Sequence, residues 1–143
     1  PDDGMVAHCK AAGHKNVLLD DANHYLESVE AGSLGAIFSA QVIEHIPFKE
    51  LVHFLELSVA KLAPNGLFIA ETVNVHSVQS FKTFWVDPTH EHPLFPETML
   101  ELCRIAGFES AYVFHPNGLG DVSADRFNAP AYAVVARTAA ADK

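Results

Sequence analysis

Leu34-Gly-Ala-Ile-Phe-Ser-Ala-Gln-Val-Ile-Glu-His-Ile-Pro47 is the stretch on which the reading of this chain turns. Its apolar run, Ala36 to Phe38, has the length of a strand buried on both faces. It ends at small and polar residues, Ser39-Ala40-Gln41, just before a helix opened by Pro47. Ligands of open α/β sheets sit outside the carboxyl ends of the strands, so Ser39 to His45 is the first place to look for chemistry. The alternative is a strand end with ordinary polar residues.

Downstream, Phe48, Leu51, Val52, Leu55, Val59 and Leu62 recur at helical spacing, with Lys49, Glu50, His53, Glu56 and Lys61 on the opposite face. This predicts an amphipathic helix over 48–62 that covers a sheet. Pro64-Asn65-Gly66 is a turn signal, and a strand over 67–73 follows, ending at Asn74. A strand, a covering helix and a second strand in this order point to a right-handed parallel unit. Residues 74–95 carry little periodicity but many aromatics and two prolines, Pro88 and Pro93, the composition of an ordered lid loop. Pro96 then opens a helix over 96–106, with Met99, Leu100, Leu102 and Cys103 inward and Gly107 at its end. Strands are expected at 108–114 and 131–136, joined by a long turn rich in Gly and Asn, and the tail after Arg137 reads as frayed.

Upstream, Met5, Val6 and Cys9 with Ala11 and Ala12 suggest a short helix stopped by Gly13. Asn16 to Asp20 reads as a strand at 17–20, closed by Asp20-Asp21-Ala22-Asn23. A short helix then shows Tyr25, Leu26 and Val29 on one face until Gly32-Ser33. Carboxylates at such a strand end can accept hydrogen bonds from an adenine amine or from ribose hydroxyls, or can simply cap a helix.

The 143 residues, 49% hydrophobic and 19% charged, are enough for one core and too few for two. Nine basic against eighteen acidic residues give a net charge of −9, and no block of Lys or Arg stands out, so a nucleic-acid partner is not expected. Cys9 and Cys103 form no CxxC and read as reduced thiols, which fits a cytoplasmic protein. The sequence shows no signal peptide and no apolar run of membrane-spanning length.

Ile37 to Pro47, the helix after it, and Leu62-Ala-Pro-Asn-Gly-Leu-Phe-Ile-Ala-Glu-Thr-Val-Asn74 together resemble the fourth-strand, helix and fifth-strand segment of class I S-adenosylmethionine-dependent methyltransferases. The resemblance runs from Asp21 to Gly107. Asp21-Ala22 with Tyr25-Leu26 is similar to the adenine-side loop of the family. Phe84-Trp-Val-Asp-Pro-Thr-His90 with Pro96-Glu97 is similar to members that modify sugars and glycans. No glycine-rich first loop is found, and the acidic residue that binds ribose in the family would fall before Pro1, with Asp2 a poorly aligned substitute. The resemblance therefore implies residues 1–143 as the C-terminal portion of a single class I domain. Its α/β, Rossmann-like three-layer fold would have a mostly parallel sheet, an antiparallel last strand, and no first strands. The gap this leaves beside the central strand predicts that strands pair across it, or that a homodimer forms through exposed edges.

The resemblance also implies S-adenosyl-L-methionine as cofactor, held by Asp21, Ala22, Ser39, Ala40 and Gln41, and O-methylation of a sugar, glycan or other small-molecule hydroxyl. Such an acceptor must lose a proton, and an imidazole oriented by a carboxylate suits that task. His90 in Asp87-Pro-Thr-His is the first candidate, with Asp87 and His45 beside it in the catalytic set and His92 a structural alternative. Family members with E-x-x-E-H at this place bind magnesium; here Gln41 replaces the first Glu. No metal is therefore expected; Glu44 and His45 are weak candidates for one, and His90-x-His92 could bind a transition metal but lacks evident third and fourth ligands in its spacing. Three other classes stay open: an inactive methyltransferase-like accessory domain of a larger glycan-modifying protein, a nicotinamide-dependent Rossmann enzyme that lacks its G-x-G-x-x-G, and a metal-dependent hydrolase.

Overall fold

β2 (Leu62–Val73) alternates strictly in burial over its second half, with Phe68, Ala70 and Thr72 buried on one face and Leu67, Ile69, Glu71 and Val73 partly open on the other. That period of two makes it the spine of the sheet. The computed structural model describes residues 2–141, and within them the chain order is α1 (Asp3–Ala11), α2 (Ala22–Ser28), β1 (Leu34–Ala40), a 3₁₀ turn (Ile43–His45), α3 (Phe48–Lys61), β2, α4 (Val78–Phe84), α5 (Pro96–Ala106), β3 (Ser110–Phe114), α6 (Val122–Asn128) and β4 (Ala131–Arg137). The sheet order is β1-β2-β4-β3. β1 lies parallel to β2 across the α3 crossover, while β4 runs antiparallel to both β2 and β3, so the last strand alone is reversed, as expected.

The core lies between this sheet and the helices α3 and α5. Phe54 and Phe68 meet edge to face at 5.7 Å, and Phe68 and Phe108 lie 5.6 Å apart. Met99, Cys103, Leu55 and Val134 fill the space around them. Burial pushes the Cys103 thiol up to about 12, which leaves it unreactive. The Tyr132 hydroxyl crosses the core to donate to the Leu94 carbonyl at 2.8 Å, and burial raises its pKa too. Helix α5 ends as its sequence demands: Gly107 takes φ +107, its N–H reaches the Arg104 carbonyl, and the Phe108 N–H reaches that of Cys103.

Pro64-Asn65-Gly66 does not separate helix from strand; it is a bulge within β2. Ala36 of β1 pairs with Leu67, two residues after Leu34 pairs with Leu62. Asn65 adopts φ +61, and a Cβ at Gly66 would lie 2.7 Å from the Ala63 carbonyl, so only glycine fits there. The tail is not frayed where it meets this bulge: the Thr138 N–H donates to the Gly66 carbonyl and the Asn65 N–H to that of Ala139. Pro1, Asp142 and Lys143 lie outside the described residues.

Four further expectations fail. Residues 17–20 are not a strand, and Leu18 and Leu19 are 65% and 52% exposed, because no strand among the described residues lies alongside to complete a ladder. Among these residues no strand pairs across the open edge of β1, which leaves pairing with a second copy as the standing branch of that expectation. β1 itself is not buried on both faces: Phe38 is 70% exposed, since α3 and α5 cover only the opposite face. The presumed lid loop contains α4, capped by the Ser77 hydroxyl, and the Gly- and Asn-rich turn contains α6, capped by the Asp121 carboxylate. No helix of the described residues is long and apolar enough to cross a membrane.

Asn74 closes the carboxyl end of β2. It is fully buried; its amide donates to the Arg126 and Ala129 carbonyls at 3.0 and 2.8 Å, and its side-chain oxygen accepts from the His76 N–H at 3.2 Å. Asn74→Ala leaves one buried and two part-buried backbone groups without this partner and is expected to cost about 2 kcal/mol of stability. Urea unfolding should show this as a lower midpoint with an unchanged slope; an unaltered midpoint would mean that water replaces the side chain.

Candidate functional site

At the carboxyl end of β1 the ladder continues for one residue beyond the strand: the Gln41 N–H donates to the Glu71 carbonyl at 2.9 Å, and the Gln41 side-chain amide to the Glu71 carboxylate at 3.2 Å. Gln41 has φ +54, a left-handed conformation that turns the chain out of the sheet. The 3₁₀ turn follows at once. Ile43 drops into the core, and Glu44 beside it is 1% exposed, while His45 faces outward toward residues 87–90.

The opposite wall comes from the end of α4 and the residues after it. Asp87 forms a tight turn, its Oδ1 accepting from the Thr89 N–H at 2.8 Å and from the Thr89 hydroxyl at 2.6 Å. These two bonds, the hydroxyl first, hold the Asp87 carboxyl below its usual range. With the Thr89 proton committed to Asp87, the hydroxyl oxygen and the Thr89 carbonyl both accept from His45 Nδ1, at 2.9 and 3.2 Å. His90 Nδ1 donates to the Phe84 carbonyl at 2.7 Å, and its ring stacks on Phe84 at 4.4 Å and against His45 at 4.6 Å. A carbonyl can only accept, so both imidazoles carry a proton on Nδ1, and Nε2 is the nitrogen whose lone pair the neutral rings present. Asp87 Oδ2 stands 3.8 Å from His90 Nε2. The Glu91 N–H donates to the Glu44 carbonyl at 2.8 Å and ties the two walls together.

His45, Asp87 and His90 are thus brought together. His92 is not: it is exposed and faces the edge of Phe48 at 6.3 Å. Trp85 is exposed beside Phe81 and Phe84. A cleft of about 480 Å³ runs between Asp20, Asp21 and Ala22 on one side and Val42, His45 and Ile46 on the other. Asp21 Oδ1 caps α2 through the His24 N–H at 2.9 Å. Asp20 pairs with His24 Nδ1 at 2.6 Å and raises the pKa of that imidazole. Ser39 points into the core with its hydroxyl unpaired, and neither it nor Ala40 nor Gln41 lines the cleft. Asp2 caps α1 through the Met5 N–H. A second, more apolar cavity of about 410 Å³, between Leu100, Val113 and Val122 near β3, holds none of the expected residues.

A structure from Archaeoglobus fulgidus described as a SAM-dependent methyltransferase superimposes with a TM-score of 0.83 over 96% of this chain and 73% of its own, at 23% identity. The fold is that of the class I methyltransferases. A putative methyltransferase of Haloferax volcanii, solved in complex with the Trm112 methyltransferase activator, matches with a TM-score of 0.74 over 99% of this chain and 70% of its own, at 16% identity. Phosphoethanolamine N-methyltransferase 2 of Haemonchus contortus, in complex with phosphomonomethylethanolamine and S-adenosylhomocysteine, matches with a TM-score of 0.61 over 85% of this chain and 36% of its own, at 14% identity. No family model and no curated protein sequence matches the chain.

Sequence reasoning missed Thr89, which sets both the Asp87 carboxylate and the His45 ring. The signal for it was the Asp-x-Thr spacing of an Asx turn. Thr89→Val removes the stronger of the two bonds to Asp87 and should raise the Asp87 pKa toward the ordinary carboxylate value, readable by carboxyl ¹³C titration. Because the folded-state pKa is depressed, any stability this turn contributes is present above the unfolded pKa and lost as pH falls through the folded one. An unmoved titration in the variant would assign the depression to the backbone N–H alone.

Proposed function

We propose that this chain is the C-terminal portion of a single class I methyltransferase domain that transfers a methyl group from S-adenosyl-L-methionine to a hydroxyl, with a sugar or glycan the leading acceptor. The observation that carries this is the pair of imidazoles, His45 and His90, held with free Nε2 atoms at the carboxyl end of β1 beside the cleft. The open edge of β1 supports the reading of a partial domain, as does a match to about 70% of the neighbours' length. The same edge is the surface through which two copies would pair. The free thiols of Cys9 and Cys103 agree with a cytoplasmic protein.

Asp21 and Ala22, which line the cleft, would hold the cofactor; on the resemblance Ser39 to Gln41 would complete its site, although Ser39 faces the core and none of the three lines this cleft. Bound S-adenosyl-L-methionine would supply the methyl group, and His90 Nε2 would take the proton that the acceptor hydroxyl gives up. The Phe84 carbonyl keeps His90 Nδ1–H in place, so the ring enters the reaction in the tautomer a base requires. Asp87, already ionised, stabilises the imidazolium that results. Much of the acceleration comes from alignment, which Trp85 and the aromatics around it would provide.

General-base assistance is worth about 10² to 10⁴ in rate, so His90→Ala in the complete enzyme should lower turnover by that order with cofactor affinity unchanged, and His92→Ala should do less. Binding is tested on the chain itself by adding S-adenosylhomocysteine and following amide shifts. Weak binding with shifts confined to 20–23 and 39–45 is expected, and shifts clustered instead around β3 and α6 would refute this placement.

A further inference from the structure

Glu44 has no explanation in the fold. Its side chain is 1% exposed, and neither carboxylate oxygen has a hydrogen-bond partner among the described residues. An ionised carboxylate left alone in a buried site is strongly disfavoured and calls for a cation or a proton. Its neighbours show which. A carboxylate oxygen of Glu44 and one ring nitrogen from each of His45 and His90 all lie within 4.8 Å of one another. Both imidazoles have the Nδ1 proton bound by an outer acceptor, Thr89 for one and Phe84 for the other, which leaves Nε2 as a lone-pair donor. Outer hydrogen bonds of this kind orient the histidines of metal centres.

We propose that Glu44, His45 and His90 bind one divalent transition-metal ion, with zinc preferred over magnesium. Two neutral imidazoles and a single carboxylate make a borderline donor set, which suits zinc, iron or cobalt, whereas magnesium requires more oxygen ligands. Gln41 cannot supply one as an anion, and its amide is engaged with Glu71. The ligands come from two separate segments, so the ion would fasten the 3₁₀ turn to the 85–92 segment more firmly than the Glu91 to Glu44 backbone bond and the His45 to Thr89 bonds do. Three protein donors leave a position open to solvent or to an acceptor oxygen. The inference stands on the donors alone and goes beyond the methyl-transfer reading. The base role of His90 applies to the metal-free protein, because a coordinated Nε2 cannot also take a proton.

The test uses the whole chain stripped with chelator and titrated calorimetrically with zinc chloride, with magnesium chloride in parallel. One zinc per chain is expected, with affinity at least tenfold weaker in Glu44→Gln and in His90→Ala, and magnesium failing to compete at a hundredfold excess. Should a variant unfold, the wild-type protein still decides: zinc must shift the ¹⁵N resonances of His45 and His90 at Nε2 and not at Nδ1. Zinc uptake that leaves those two rings unmoved, uptake undiminished in both variants, or displacement by equimolar magnesium would each overturn the proposal. S-Adenosylhomocysteine shifts on metal-free protein report separately on the methyltransferase reading.

Discussion

The hydrogen bond from Gln41 to the Glu71 carbonyl holds the last rung of the parallel ladder while the Gln41 backbone turns left-handed. A non-glycine residue in that conformation costs about 1 to 2 kcal/mol, and the ladder bond, the side-chain contact to Glu71 and the burial of Ile43 offset it. Everything at the site depends on this turn. A residue continuing the strand would carry Glu44 and His45 along the sheet; the left-handed step swings them across its end, where the segment after α4 can meet them. That segment is fixed in turn by the Asp87–Thr89 turn and by the seat of His90 on Phe84, which is itself buried. Two short stretches, each with its own local geometry, therefore converge without a long loop having to be ordered as a lid.

How much of this could be read from the residues depended on whether the relevant force was local. α5 was legible to its ends because Pro96 and Gly107 act through their own backbones. α3 and the β1, β2 and β4 strands followed from periodicity. Residues 17–20 carry the composition of a strand, but a strand exists only in its ladder, and composition says nothing about a partner. α4 and α6 were missed because seven-residue helices show little period, and their cap residues, Ser77 and Asp121, look like turn residues. Phe54 was not among the apolar positions assigned to the 48–62 helix, yet it lies in the core against Phe68. Asp87, His90 and His45 were found because their chemistry is rare in combination. That the Glu44 carboxylate would be buried with no hydrogen-bond donor among the described residues was not legible, since a carboxylate at a helix start is favoured by the helix dipole alone.

The sheet has two unlike faces. On one, Phe68, Ala70 and Thr72 lie under α3 and α5 and contribute the apolar burial that holds the domain together. On the other, Phe38, Ile69, Val135 and Tyr112 stand in one row across the strands, and Phe38 and Tyr112 are largely exposed. This explains why the apolar run at β1 misled: it is written for two covered faces and has one. The stability of the chain as described thus rests on one layer of helices, and the polar tie at Asn74 carries more weight than it would in a sheet covered on both sides.

The same two outer hydrogen bonds prepare His45 and His90 for either of two tasks. Fixing the proton on Nδ1 gives a ring whose Nε2 accepts a proton from a hydroxyl or a bond from a metal, and nothing in the imidazoles alone separates these. Glu44 does. A base needs a carboxylate to stabilise the imidazolium, and Asp87, ionised and 3.8 Å from His90 Nε2, already serves that end. A second carboxylate, buried with no donor of its own among the described residues, adds nothing to proton transfer and carries a desolvation cost that a proton or a cation at its oxygens would remove. The placement of an otherwise unpartnered Glu44 within reach of two lone-pair nitrogens therefore weighs toward coordination, with the open side of the ion left for the oxygen of an acceptor.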